Sequence, residues 1–385
     1  MSAETLFNQL NDEPRTLVIG RDAVTLALVV EEVRAAGIEV SGMTLAEADG
    51  SLTGSFDLIA IGSGIGEDQR RSLIDEARFH NPGVRILRTH APFAAAEIVS
   101  AVNGTDHVPV DLAAYCRRIG YDGPLEPTLD VLRELHKLHP AAIAFEAIDV
   151  LLDRGIDISP AAIDAKLIEA RRGGYCYEQN GLFARVLRQI GFDVESLSAS
   201  VRWMFAPGAA PGSLTHRVLR VTIDGIPWLA DVGFGSCVPT APIRMDVSDP
   251  QPTHHEAFRL VPMGPHLLLQ AEVEGRWQSV YAIPPDTWLD VHYEMPNWFT
   301  SKHPVSHFRH RLIVTRATPE ARHILADGKL TIRRPDGAAE QRFLDADEIM
   351  DVLRSVFHLP VEPEWRVVAE RAAKAVEAER LAEAA

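Results

Sequence analysis

Along residues 14–104, short apolar runs alternate with longer mixed stretches. Thr16-Leu17-Val18-Ile19-Gly20 is an unbroken apolar run of the kind a strand needs when both its faces are covered. A helix is predicted from Ala23 to Ala36 and stopped by Gly37. A second strand follows at Ile38 to Val40, and a third at Phe56 to Gly62. Gln69 to His80 reads as a helix, Val84 to Leu87 as a strand and Phe93 to Val102 as a closing helix. This alternation predicts a parallel sheet with helices on both faces, a flavodoxin-like or receiver-like α/β domain over residues 1–105. Asn103-Gly104-Thr105 breaks the pattern and reads as a linker.

The next section, 106–190, is patterned as a helical bundle. Asp111 to Ile119 is a short helix, and Tyr121-Asp122-Gly123-Pro124 a turn. An amphipathic helix runs from Thr128 through Leu129, Leu132, Leu135, His136 and His139. Ser159-Pro160 opens another, as N-cap and first helical residue. Leu182, Phe183, Val186, Leu187 and Ile190 give the last its helical period. After Gly191 the texture becomes that of strands, with a hairpin signal at Asp224-Gly225, and predicts a β-barrel over 191–296. Residues 297–385 carry strands at Arg311 to Arg316, Lys329 to Arg334 and Gln341 to Leu344, a helix at Ala346 to Val356 and a solvated helical tail from Val367. They read as an α/β lid, and the whole as an α+β protein.

Composition adds boundaries. The chain has 385 residues, 46% hydrophobic and 24% charged, ordinary values for a water-soluble fold of more than one domain. A formal charge of −16 argues against nucleic acid or an anionic membrane as the main partner. No apolar run is long enough to span a bilayer, and Met1 to Asn11 lacks a signal peptide's pattern. Three cysteines, Cys116, Cys176 and Cys237, without a secretion signal point to reduced thiols and a cytoplasmic location.

Candidate chemistry centres on Arg171-Arg172-Gly173-Gly174-Tyr175-Cys176. Two glycines make a loop flexible enough for a substrate to approach the backbone, and Cys176 then opens a helix. A helix N-terminus favours a thiolate and offers N–H groups to an oxyanion. The decapeptide alone also fits a buried structural cysteine. Downstream, His216 begins one predicted strand and Asp231 ends the next, and the Asp224-Gly225 hairpin brings those two ends together. Cys176, His216 and Asp231 form a Cys-His-Asp arrangement in the order of papain-like enzymes.

Residues from about 110 to 365 resemble an arylamine N-acetyltransferase. The resemblance is carried by Arg172 to Asn180, Thr215-His216, Asp231 to Gly235, Arg118-Ile119-Gly120-Tyr121, Leu132 to His139, and Asn297 to Phe308. Phe145-Glu146 stands where the family has Pro-Phe-Glu-Asn, with Ala144 and Ala147 as departures. It implies a papain-like cysteine transferase fold with catalytic Cys176, His216 and Asp231. It further implies acetyl-CoA as co-substrate, an arylamine or hydrazine acceptor, a ping-pong reaction without a metal, and a buried Glu146–Arg172 pair holding the cysteine loop. A relative using a larger acyl thioester and a non-catalytic scaffold are the alternatives.

Other motifs receive plainer readings. Gly62-Ser63-Gly64-Ile65-Gly66 is neither G-x-G-x-x-G nor a Walker loop and reads as a tight turn, so the first domain is expected to be catalytically silent. His136 and His139 lack a third clustered ligand and read as core or surface histidines. His254-His255-Glu256 is not a zinc helix. Cys116 and Cys237 are expected to pack, and Trp203, Phe205 and Phe234 are placed by position as pocket-lining candidates.

Overall fold

The computed structural model describes residues 15–53, 56–91, 94–102, 108–206 and 212–383. The linker at Asn103-Gly104-Thr105 lies outside them, as does the predicted helix start at Phe93. The chain divides into two compact units, Met1–Val108 and Pro109–Ala385.

In the first unit, strands β1 (Thr16–Gly20), β2 (Val40–Thr44), β3 (Leu58–Gly62) and β4 (Arg85–Thr89) form a parallel sheet in the order β2-β1-β3-β4. That is the order of the first four strands of a flavodoxin-like sheet. Leu17 and Ile19 enter the core on one face while Val18 enters the core on the other, which is why β1 reads as an unbroken apolar run. The second strand is Val40–Thr44 and not Ile38 to Val40. It is an edge strand with only Val40 buried, and its Gly42 lies so close to the helix Ala23–Ala35 that a Cβ would meet Val30 at 2.8 Å. Ser-Gly-Met carries little hydrophobic signal at such a position. The 62–66 glycines make the expected turn, with Ile65 N–H donating to Gly62 O at 3.0 Å before the helix Glu67–His80.

In the second unit, the helices Leu112–Ile119, Leu129–Ala142 and Cys176–Ile190 pack around one core that includes Tyr115, Leu132, Leu135, Phe183 and Leu187. Asp111, Thr128 and Ser159 cap their helices through side-chain oxygens. A two-residue strand and a long antiparallel sheet complete this part of the unit. Strand β5 (Phe145–Glu146) precedes the cysteine loop. Strands β6 (Asp193–Val201), β7 (Leu214–Ile223), β8 (Ile226–Ala230), β9 (Ile243–Arg244), β10 (Gln251–Pro252), β11 (Ala257–Met263), β12 (His266–Val273) and β13 (Arg276–Ile283) form an eight-stranded sheet. Its order is β10-β11-β12-β13-β6-β7-β8-β9, and β9 approaches β11, so it curls into a nearly closed barrel. Asp224 and Gly225 join β7 to β8 with φ of 51° and 73°, the two positive values a tight hairpin turn requires.

A second antiparallel sheet runs β17-β16-β15-β14-β5, with β14 (Ile313–Ala317), β15 (Arg322–Ala326), β16 (Lys329–Arg333) and β17 (Ala339–Phe343). Strand β15 falls where the sequence reading had only a connection, because Thr318-Pro319 and Asp327-Gly328 mark turns on both sides of a five-residue strand. The terminal helix Arg366–Glu383 is not simply solvated: Val368, Ala369, Ala372 and Val376 are buried, the first three beside Trp365. Alanine contributes so little hydrophobic contrast that this face is faint in the sequence. Among the described residues no helix is long and apolar enough to cross a membrane.

Candidate active site

The helix Cys176–Ile190 begins at the cysteine, after Tyr175 in extended conformation, and ends at Gly191 with φ of 107°. Its first-turn N–H groups have no partner within the helix. Every residue from Cys176 to Leu187 is buried, polar ones included. The glycines before it were read as flexibility for a substrate, and the structure gives them another cause. A Cβ on Gly173 would sit 2.2 Å from the Ala144 carbonyl oxygen, and one on Gly174 would meet the Glu178 carboxylate at 2.8 Å. The loop is stitched to β5 by Glu146 N–H donating to Gly174 O and Gly174 N–H to Ala144 O, at 3.1 and 3.2 Å.

Buried charges hold the same loop. Arg172 pairs with Glu146 at 2.8 Å and Asp149 at 2.9 Å, and its guanidinium lies 5.0 Å from the Trp365 ring centre. Lys166 bridges Asp149 and Glu178 at 3.1 and 2.8 Å, while Glu178 accepts the Tyr175 N–H at 3.0 Å. Burial disfavours the charge on Arg172, yet Glu146 and Asp149 more than compensate and raise its pKa. Burial lifts the Glu178 carboxyl above its ordinary range despite Lys166. Arg118 donates to the carbonyls of Leu167, Ala142, Arg171 and Arg172, at 2.7 to 3.3 Å.

His216 is the third residue of β7 and not its first, and Asp231 directly follows β8. They meet as the hairpin predicts: His216 Nε2 lies 2.7 Å from Asp231 Oδ2. With Nε2 committed there, Nδ1 is the ring nitrogen left to serve Cys176. The Cys176 thiol also lies 3.8 Å from the Thr215 carbonyl oxygen. His216 is 3% exposed and Asp231 fully buried. Burial disfavours the imidazolium, but the Asp231 carboxylate and the Cys176 side chain outweigh it and push the His216 pKa up to about 10. Burial would raise Asp231, and His216, Asn180 and the Gly233 N–H together hold it below the ordinary carboxylate range.

The Asp231 carboxylate is fully subscribed. Oδ1 accepts from Asn180 Nδ2 at 2.8 Å and Gly233 N–H at 2.9 Å, and Oδ2 accepts from His216 and from the Tyr281 hydroxyl at 2.9 Å. Asn180 also accepts the Val232 N–H and donates to the Arg217 carbonyl. Sequence reasoning missed the roles of Asn180 and Tyr281. Asn180 stands four residues after Cys176, on the same helix face, and a polar residue so placed on a buried helix is the signal that was available. Phe234 and Tyr281 pack on the His216 ring with centroids 5.1 and 5.0 Å away, and Trp203 lies edge-on to Phe234 at 6.5 Å. Phe205 is exposed. His136 and His139 are core residues, committed to Asp231 and Gln179, and His254 and His255 bind backbone carbonyls. Cys237 is buried and Cys116 half-buried.

Residues 128–366 match the family described as N-acetyltransferase. The arylamine N-acetyltransferase of Mycobacterium tuberculosis H37Rv is 39% identical over 255 residues, covering 66% of this chain and 90% of that protein. The arylamine N-acetyltransferase of Escherichia coli K12 is 39% identical over 250 residues, 64% of this chain and 88% of that one. The solved structure of Mycobacterium marinum arylamine N-acetyltransferase in complex with CoA superposes with a TM-score of 0.65 at 40% identity, covering 69% of this chain and 99% of that one. These likenesses, over the unit that contains Cys176, His216 and Asp231, establish that the chain belongs to the arylamine N-acetyltransferase family of acyltransferases.

Proposed function

We propose that this chain transfers an acetyl group from acetyl-CoA to an arylamine or hydrazine by a ping-pong reaction through acetyl-Cys176. The observation that carries the reading is the buried line of Cys176, His216 and Asp231, with His216 Nε2 held 2.7 Å from the Asp231 carboxylate. The Cys176 proton passes to His216 Nδ1, leaving a thiolate–imidazolium pair that Asp231 stabilises. The thiolate attacks the thioester carbonyl carbon, and the oxyanion develops beside the free N–H groups of the helix start. The tetrahedral species collapses by breaking the carbon–sulfur bond to CoA, which leaves with the His216 proton. The acceptor amine then attacks acetyl-Cys176, neutral His216 takes the amine proton, and Cys176 departs as thiolate.

CoA as the donor's carrier is supported by the M. marinum complex, and arylamine acceptors by the names of the relatives. The first unit is proposed to be silent in this chemistry, and the protein to act in the cytoplasm. Parallel lines in double-reciprocal plots at several acetyl-CoA concentrations, with CoA released before acceptor is added, are the expected kinetics. Intersecting lines and no CoA release without acceptor would overturn the covalent route. A donor series of increasing acyl length in the same assay should favour acetyl. A clear preference for long chains would reassign the protein as an amide-forming relative.

A further inference from the structure

The helix Leu129–Ala142 carries His136 and His139 three residues apart, and both are fully buried. The reaction above uses neither. Each ring reaches a different arm of the site. His139 Nε2 lies 2.7 Å from Gln179 Oε1, and its Nδ1 lies 2.9 Å from the Tyr115 hydroxyl. Gln179 gives its amide N–H groups to the carbonyls of Ala144 and Gly174 at 3.0 and 3.1 Å. Its oxygen therefore faces His139, which must carry its proton on Nε2 and accept from Tyr115 at Nδ1. At His136 the demand is the opposite. Its Nε2 faces a donor, the backbone N–H of Asp231, at 3.0 Å. Two neighbouring rings on one helix are thus held in opposite tautomers by what they touch.

We propose that His136 is a positioning residue for the Cys-His-Asp triad, its bare Nε2 pinning the Asp231 backbone so that the carboxylate stands squarely under His216. The proposal rests on the reading that Asp231 orients His216 in catalysis. The last paired residue of β8 is Ala230, opposite Leu219. One residue later the Asp231 N–H has left the ladder and is fully buried, so it needs an acceptor from elsewhere. His136 supplies it across 95 residues of sequence. The carboxylate of the same residue is gripped from the Cys176–Ile190 helix by Asn180 and from β13 by Tyr281. Asp231 is then fixed at its backbone by one helix and at its side chain by another helix and a strand. Burial holds His136 far below its ordinary pKa, at about 4, against the pull of Asp231, so the acceptor persists at neutral pH. A core-filling ring would need only shape, and His136 does pack edge-on to Phe183 with centroids 5.9 Å apart. The hydrogen bond is what a hydrocarbon ring cannot supply.

That difference sets the test. His136→Phe keeps a ring against Phe183 and removes the acceptor, while His136→Gln loses the ring and keeps an acceptor. His136→Phe should lower kcat on the order of 10²-fold, the cost of slight misplacement of reacting groups, with KM for acetyl-CoA little changed. Alkylation of Cys176 at neutral pH should slow in step, and His136→Gln should recover most of both. A His136→Phe enzyme with wild-type kcat and an unaltered pH profile of alkylation would overturn the proposal. So would His136→Gln no better than His136→Phe at equal melting temperature. Asp231→Asn run alongside separates the two failures: near-normal turnover there would sink the triad reading itself, whereas a crippled Asp231→Asn beside an intact His136→Phe would sink only the positioning role. If His136→Phe does not fold, long-range proton–nitrogen NMR of the wild-type protein at neutral pH decides. A neutral ring protonated on Nδ1 supports the proposal, and a proton on Nε2 refutes it.

Discussion

Among the described residues of the first unit, the fully covered polar side chains are Thr16, Arg70 and Thr89, and the rest of its core is hydrocarbon. The second unit buries Arg118, His136, His139, Glu146, Asp149, Arg172, Glu178, Gln179, Asn180, His216, Arg217 and Asp231, among others. Buried polar groups are costly unless fully paired, and they do not accumulate where only packing is required. In the first unit the polar burial is what a doubly wound sheet tolerates. In the second it is spread over several elements, among them the cysteine loop, the start of its helix, β7 at His216 and Arg217, and Asp231 after β8. The contrast points to the second unit as the one that carries the chemistry.

Breaking the second unit at its reacting atom should have the largest effect. Cys176→Ala should abolish transfer, measured by CoA release with a small arylamine; near-normal turnover would end the triad account. Asp231→Asn should keep the fold and lose activity on the order of 10⁴-fold, because the amide favours the wrong imidazole tautomer. A mild loss would make Asp231 a structural residue. Arg172→Ala strikes the holding groups. It leaves Glu146, fully buried, without its guanidinium, and should cost about 3–5 kcal/mol in denaturant unfolding. A loss below 1 kcal/mol, on the order of a surface pair, would show that the loop is held by its backbone contacts alone.

The fourth test is one of pH. His216 keeps its proton up to about pH 10 in the fold against 6.5 ordinarily. Its stabilising contribution is therefore complete below pH 6.5 and is lost as the pH rises from there toward 10. Asp231 is depressed, so its contribution is present above the ordinary carboxylate range and lost on acidification. The melting-temperature gap between wild type and His216→Gln should be widest in mildly acid solution and narrow toward pH 10. A gap that widens with pH would mean the pair does not stabilise the fold. The smallest effect belongs to the first unit: a chain of residues 106–385 should melt and acetylate much as the whole protein does. A stable fragment without transfer would show that residues 1–105 take part in the site.

Much of this was legible where local chemistry speaks. The β7–β8 hairpin followed from Asp224-Gly225, and with it the meeting of His216 and Asp231. The doubly wound sheet followed from alternating apolar runs. What was not legible depended on contacts distant in the chain. The Gly173 and Gly174 reading as flexibility failed because the Ala144 carbonyl and Glu178, which crowd them, become neighbours only in the fold. Strand β2 was misplaced because an edge strand against Val30 shows almost no hydrophobic pattern. The terminal helix reads as solvated because its buried face, Val368, Ala369, Ala372 and Val376, is half alanine. The sequence leaves His136 as a core or a surface histidine, and no spacing rule reveals an acceptor for a backbone N–H 95 residues away.

The central claim is that Cys176 carries the acetyl group between donor and acceptor. The direct measurement is intact-protein mass spectrometry after incubation with acetyl-CoA and no acceptor, followed by peptide mapping. The account predicts a single acetyl group on Cys176, removed on addition of an arylamine, and the same adduct in Cys116→Ala and Cys237→Ala proteins. An unmodified Cys176 in an enzyme that still turns over, or an acetyl group on Cys116 or Cys237 in its place, would contradict it.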